Sequence, residues 1–270
     1  MKSLPTSRKP IDLQLADRQP TDLRGFVLPV AFLVLWYVIT ALQLVNTKLI
    51  VPPGAVLDSA WQVITSGQLL AGLQASLTRD IAGFAAGSAA GILLGLLLGI
   101  SRWAERLIGP TFHTLKQISL FAWLPLLSTW LGTGEAAKIL FVALSAFYPV
   151  ALSTFEGVRS VTRAQVEVAR VLGFNRWQLV SRLILPAASP QIATGLHLAL
   201  LYAWLATIGA EYLLGSSAQG IGNVVIRGKA TFHVELIVVG MLLIGLVGMV
   251  LNRLATLVES RVLHWRGPAH

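Results

Sequence analysis

Residues 162–186 read TRAQVEVARVLGFNRWQLVSRLILP. This is the most polar interior segment of a very apolar chain; counted from Arg159, it carries five arginines. The spacing predicts a helix, a glycine break and a second helix. Thr162 caps the first helix, and Gln165, three residues on, completes a capping box. A cap of this kind stabilises a helix by about 1 kcal/mol. Arg163, Glu167 and Arg170 fall on one face at helical spacing, and Ala164, Val168 and Leu172 on another. Gly173 stands where a left-handed residue stops a helix. Asn175 caps the second helix, which runs through Trp177, Val180 and Ile184 and is expected to end at Pro186. A compact, charged helical pair in such a chain reads as a docking surface.

The rest of the chain says what lies around that pair. Its 270 residues are 55% hydrophobic and 12% charged, with a mean hydropathy of +0.71. A soluble domain carries about 25% charged residues. Several apolar runs reach the roughly 20 residues that cross a bilayer. The reading is an all-α polytopic membrane protein of one domain. The absence of cysteine excludes disulfides, thiolate catalysis and cysteine metal sites.

A polar tail over 1–24 precedes a membrane domain over 25–258, and a second tail covers 259–270. About six spans are expected, at 25–45, 78–100, 117–131, 136–155, 189–210 and 234–254. After the first, Pro52 and Pro53 lead into a short amphipathic helix with Val56, Ala60, Val63 and Ile64 on one face. The second carries Gly83, Gly87, Gly91, Gly95 and Gly99, a small-residue ridge for close helix packing. The third is short and holds Pro125, so a bent or incomplete span is expected. The polar loop 159–188 separates the fourth and fifth.

Six spans put both ends on one side. Under that topology sixteen of the 21 Lys and Arg residues lie with the tails and the 159–188 loop, and five lie opposite. The positive-inside rule then places both termini and the loop in the cytoplasm. The formal charge of +9 reflects topology, not nucleic-acid binding.

No enzyme constellation is present. The chain has no GxxxxGK[ST] phosphate loop and no GxSxG, and its five histidines never fall at metal-ligand spacing. The glycine-containing loop 215–222 follows no strand and is not read as a nucleotide site. His197, Tyr202 and Thr207 in the fifth span and Glu211 at its outer end are the candidates for a translocation path. The plainer readings are a histidine bonded to a neighbouring helix and a glutamate near the interface. Arg79 and Asp80, at the outer end of the second span, are read as interfacial.

The 167–186 segment, with Glu167, Val168, Ala169, then Gly173, then Leu183, Ile184, Leu185 and Pro186, closely resembles the EAA-x3-G-x9-I-x-L-P signature of binding-protein-dependent ABC importer permeases. Val168 replaces an alanine and Leu183 an isoleucine, both apolar changes at unchanged spacing. VPPGAVL at 51–57, SLTRDIAGFAAGSAAGILLGLLLGISRWAERLIGP at 76–110 and WLPLLSTWLGTGEAAKILFVAL at 123–144 are similar to the aliphatic sulfonate, taurine and nitrate branch. The likeness covers about four fifths of the chain.

The resemblance implies a type I ABC importer permease in a bacterial inner membrane, paired with a second permease subunit, identical or related. It implies a cytoplasmic ABC ATPase dimer, which binds the ATP and Mg, and a periplasmic or lipid-anchored solute-binding protein. It assigns Arg163, Glu167, Ala169, Arg170, Gly173 and Pro186 to the coupling helix that meets the ATPase, with Trp177, Leu183 and Leu185 expected to hold the pair to the ends of the spans. The cargo it implies is a small organic anion, most simply an aliphatic sulfonate, with nitrate, taurine or bicarbonate as alternatives. Outside the family, the rivals are a secondary carrier driven by an ion gradient, which needs more buried carboxylates, a membrane enzyme and an assembly subunit.

Overall fold

The computed structural model describes residues 24–46, 49–215 and 219–262. The tail residues 1–23, Lys48 and the stretch 263–270 lie outside the described residues, so the expectations placed on them are not addressed. The chain divides into two units, 1–54 and 55–270.

In the first unit, α1 (Arg24–Ala41) is the expected first span, ended a turn early. Trp36 Nε1 donates to Val51 O at 3.0 Å, which folds the following turn back on the helix. Leu28, Phe32 and Tyr37 are exposed, an apolar surface suited to lipid.

The boundary falls in the first turn of α2 (Pro53–Thr65), whose Val56 is buried while Ile64 is exposed. Then come α3 (Gln68–Ile100) and α4 (Arg102–Leu115). A 3₁₀ turn at Leu120–Trp123 and the eight-residue α5 (Leu124–Leu131) follow. Next are α6 (Glu135–Arg159), α7 (Arg163–Val171), the short α8 (Arg176–Gln178) and a π turn at Leu179–Ile184. The last three helices are α9 (Leu185–Leu214), α10 (Gly222–Ala230) and α11 (Val234–Val262).

Four of these helices are long and apolar enough to cross a membrane: α3, α6, the continuous 176–214 rod and α11. The apolar segments Val27–Ala41 and Leu120–Leu131 are shorter. The expected third span is therefore not one rod: Pro125 starts α5 at its first turn, where its missing N–H costs nothing.

The core is built from α3, α6 and α9. All five glycines of the ridge on α3 face α6. A Cβ at Gly83 would stand 2.6 Å from Val142 Cβ, at Gly91 2.8 Å from Phe147 O, and at Gly95 2.6 Å from Thr154 Cβ. The bare backbone is what lets the two helices touch. On the other side of α6, α9 offers Ala199, Ala203, Ala206 and Ala210, all buried at helical spacing against Phe141, Ala146 and Val150.

Two boundaries differ from the expected ones in ways that matter. The second long helix starts at Gln68 rather than near residue 78, so Arg79 and Asp80 are interior to it. The last helix runs on to Val262, so Glu259 is helical and not part of a tail.

Candidate functional site

The 162–186 segment folds as two short helices set at an angle by one glycine. Thr162 N donates to Gln165 Oε1 at 2.9 Å, and Gln165 N donates back to Thr162 Oγ1. The second helix has the same device: Asn175 N donates to Gln178 Oε1 at 2.9 Å and Gln178 N to Asn175 Oδ1 at 2.8 Å. Between them Gly173 adopts φ +77°, the left-handed region. Gly173 N donates to Arg170 O and Phe174 N to Ala169 O, the paired bonds of a Schellman stop.

Pro186 does not end the second helix. The chain stays helical from Arg176 to Leu214. The reason is the π turn just before it, in which Leu185 N donates to Val180 O, five residues back. A proline inside an α-helix clashes with the carbonyl four residues earlier and leaves it without a donor. The wider π turn takes up that misfit, so Pro186 sits at the start of α9.

The pair is anchored on its bundle side and open on the other. Ile184 and Ala188 pack on Val158 at the end of α6, with Leu179 and Val180 around them. Ala169 is buried. Val168, Val171, Leu172 and Trp177 are exposed, Val171 at 88%. Trp177 thus does not hold the pair to the spans, the role its position in the sequence indicated; that falls to Ile184. Arg163, Glu167 and Arg170 are exposed beside the apolar residues. A groove of about 420 Å3 runs between α7 and the π turn, lined by Val168, Leu172, Phe174 and Leu183.

At the other end of the bundle lies a buried polar cluster. Ser76, Arg79 and Asp80 share one face of α3; Thr207 and Glu211 are one turn apart on α9. Arg79 Nη1 donates to Glu211 Oε1 at 2.7 Å and to Gln219 O at 2.9 Å. Its Nη2 donates to Glu135 Oε1 at 2.9 Å, and its Nε to the other oxygen of the same carboxylate. Ser76 Oγ donates to Glu211 Oε1 at 2.6 Å and accepts from Ile221 N at 2.9 Å. Gly222 N donates to Glu211 Oε2 at 2.9 Å. Lys138, 1% exposed, lies 3.4 Å from Glu135 Oε1. The cluster ties α3, α6, α9 and the loop before α10 together.

This sharpens two expectations. Arg79 and Asp80 are 5% and 0% exposed, enclosed in protein and facing neither solvent nor lipid. Glu211 is 4% exposed, held by Arg79, Ser76 and the first amide of α10. Removing such charges from water costs several kcal/mol each unless they are paired and hydrogen-bonded, as Arg79 and Glu211 are here. Gly220 makes the arrangement possible: a Cβ there would stand 2.5 Å from Glu211 Cδ.

The four path candidates do not converge. Thr207 is buried, its hydroxyl 3.3 Å from Asp80 Oδ1. Tyr202 is exposed. His197 turns to α11, with Nδ1 3.0 Å from Glu259 Oε2 and Nε2 2.7 Å from Asn252 Oδ1. Asn252 and Glu259 were not singled out in the sequence, because nothing in hydropathy separates them from other end-of-helix polar residues. Among the described residues, no three His, Cys, Asp or Glu side chains converge to hold a metal.

Comparison with known proteins gives this geometry its context. Residues 87–264 match the family described as "Binding-protein-dependent transport system inner membrane component". The chain is 35% identical over 244 residues to an assigned aliphatic sulfonates transport permease of Bacillus subtilis (strain 168), covering 90% of this chain and 88% of that one. It is 30% identical over 240 residues to the taurine transport system permease protein of Escherichia coli (strain K12), covering 87% and 86%. A chain of the MetNI methionine ABC transporter, solved inward-facing, superposes with a TM-score of 0.62 at 17% identity, over 72% of this chain and 96% of that one. That likeness fixes the fold as the type I importer permease fold. The chain belongs to the family of binding-protein-dependent transport system inner membrane components: it is a multi-pass permease subunit of an ABC transporter of the inner membrane.

Proposed function

We propose that this chain works as the transmembrane subunit of an ATP-driven importer. It lines, with a second and identical copy, the path of a small aliphatic sulfonate. A cytoplasmic ABC ATPase dimer binds ATP and Mg beneath the 162–186 pair, and a solute-binding protein delivers cargo at the opposite face. Both termini lie in the cytoplasm. The observation that carries the reading is the capped, glycine-bent helical pair with Val168, Val171, Leu172 and Trp177 exposed on it. An apolar patch rimmed by Arg163, Glu167 and Arg170 fits a protein partner. Its link through Ile184 and Ala188 to Val158 of α6 gives a push on the patch a route into the bundle. The sulfonate assignment draws support from the relatives named for aliphatic sulfonates and taurine.

The test is uptake by proteoliposomes holding this chain, its ATPase and its binding protein. Uptake of a labelled alkanesulfonate that requires internal ATP is the expected result. Uptake by this chain alone under an ion gradient would establish the secondary carrier instead.

A further inference from the structure

A second opening lies at the end of the bundle away from the 162–186 pair, where the turn between α2 and α3 faces α10. Its volume is about 570 Å3, within the roughly 300–1,000 Å3 of small-molecule sites. Its polar wall is formed by Gln62, Ser66, Gln68, Gln219, Asn223 and Arg227, and no carboxylate is in the lining. Arg227 Nη1 donates to Gln68 Oε1 at 2.6 Å. That bond uses the acceptor of Gln68 and leaves its amide N–H groups, and those on the rest of the guanidinium, for a ligand. The opposite wall is aliphatic, with Val63, Leu69, Val224 and Leu236.

The floor is rigid. Gln219 O is held by Arg79 Nη1 at 2.9 Å, and the next-but-one amide, Ile221 N, by Ser76 Oγ at 2.9 Å. A Cβ on Gly72 would stand 3.2 Å from the Gly220 backbone, so the two chains meet there without side chains. The buried cluster therefore sets the shape of the pocket before any ligand arrives, which lowers the ordering cost of binding.

A donor-rich wall with one guanidinium and no negative charge selects an oxyanion, and Arg recognises such a group through paired N–H bonds. The aliphatic wall selects a short alkyl chain attached to it. We propose that this pocket is an entry site for a small aliphatic sulfonate, its oxyanion held by Arg227 and Gln68 and its chain against Leu69 and Val224. The identity of the cargo rests on the function proposed above; the site itself rests on the pocket.

Calorimetric titration of propanesulfonate into the full chain in zwitterionic nanodiscs tests it. Saturable binding is expected, weakened about ten-fold or more in Arg227→Gln. Arg227→Lys keeps the charge, loses the fork and falls between the two. Propanol, without the oxyanion, should not bind. Absence of binding by the wild type, or equal binding by Arg227→Gln, overturns the site. Loss of propanesulfonate binding when anionic lipid replaces zwitterionic lipid also overturns it, since the pocket then holds a lipid headgroup. Uptake by the full importer separates the two claims. Sulfonate import at the wild-type rate and affinity in Arg227→Gln refutes the site and leaves the cargo; no sulfonate import by the wild type refutes the cargo.

Discussion

Arg79 Nη1 lies 2.7 Å from Glu211 Oε1, joining two buried charges 132 positions apart in the chain. Each is also bonded around the start of α10, Arg79 to Gln219 O in the loop before it and Glu211 to the N–H of Gly222, its first residue. The pair therefore fixes α3, α9 and that loop in one arrangement. A buried ion pair is weak evidence of net stability, but breaking one side of it leaves an uncompensated charge.

Removing Arg79 leaves Glu211 buried without its guanidinium and should cost about 3–5 kcal/mol; removing Glu211 should cost less, since Arg79 keeps Glu135. Arg79→Met and Glu211→Met are each expected to lower the thermal unfolding midpoint in detergent. The double variant should be less destabilised than the sum of the two, because the Arg79–Glu211 interaction is lost in both single variants and counted twice in that sum. Single variants that unfold with the wild type would show that the pair is not formed.

The glycine ridge gives a contrast between positions. A Cβ at Gly95 meets Thr154 Cβ at 2.6 Å, whereas one at Gly245 on α11 meets nothing within 4 Å. Gly95→Val is expected to destabilise by more than the roughly 1–3 kcal/mol typical of overpacking, since backbone as well as side chain must move. Gly245→Ala should be neutral or gain about 0.5–1 kcal/mol from helix propensity. Equal effects in the same unfolding assay would contradict the α3–α6 contact.

His197 is the tie between α9 and the last turns of α11. His197→Phe removes its bonds to Asn252 and Glu259. With about 1 kcal/mol per bond, amides in residues 253–262 should exchange about five-fold faster or more. Exchange at the wild-type rate would mean that α11 is held otherwise.

The chain has no cysteine, so single-cysteine labelling needs no background removal. A cysteine at Val171, an open position of α7 at 88% exposure, is expected to react with a membrane-impermeant maleimide only from the cytoplasmic side. Labelling from the outside would invert the topology.

Local features were legible in the sequence. Thr162, Gln165, Gly173 and Asn175 act within a few residues, and each has the geometry that its residue type and spacing indicate. The glycines of α3 were legible for the same reason, because a period of four marks one helix face. What was hidden depends on distant partners. Hydropathy places Arg79, Asp80 and Glu211 by depth alone, since it has no term for a charge neutralised by another helix. The bonds from His197 to Asn252 and Glu259 were hidden likewise. Pro186 was misread because a six-residue π turn leaves no mark in composition. Trp177 reads as an anchor by its size, yet it is 76% exposed, on the side where the proposed partner would lie.

The central claim is that the 162–186 pair passes the motion of an ATPase into the membrane helices. Substrate-stimulated ATP hydrolysis by the reconstituted importer tests it, with Glu167→Lys and Gly173→Val compared with the wild type at equal levels of inserted chain. Glu167→Lys reverses a charge on the exposed face of α7, and Gly173→Val puts a β-branched residue at φ +77°, which that residue type strongly disfavours. The account predicts that both lose most of the stimulation by substrate. Stimulation equal to the wild type in both would contradict it.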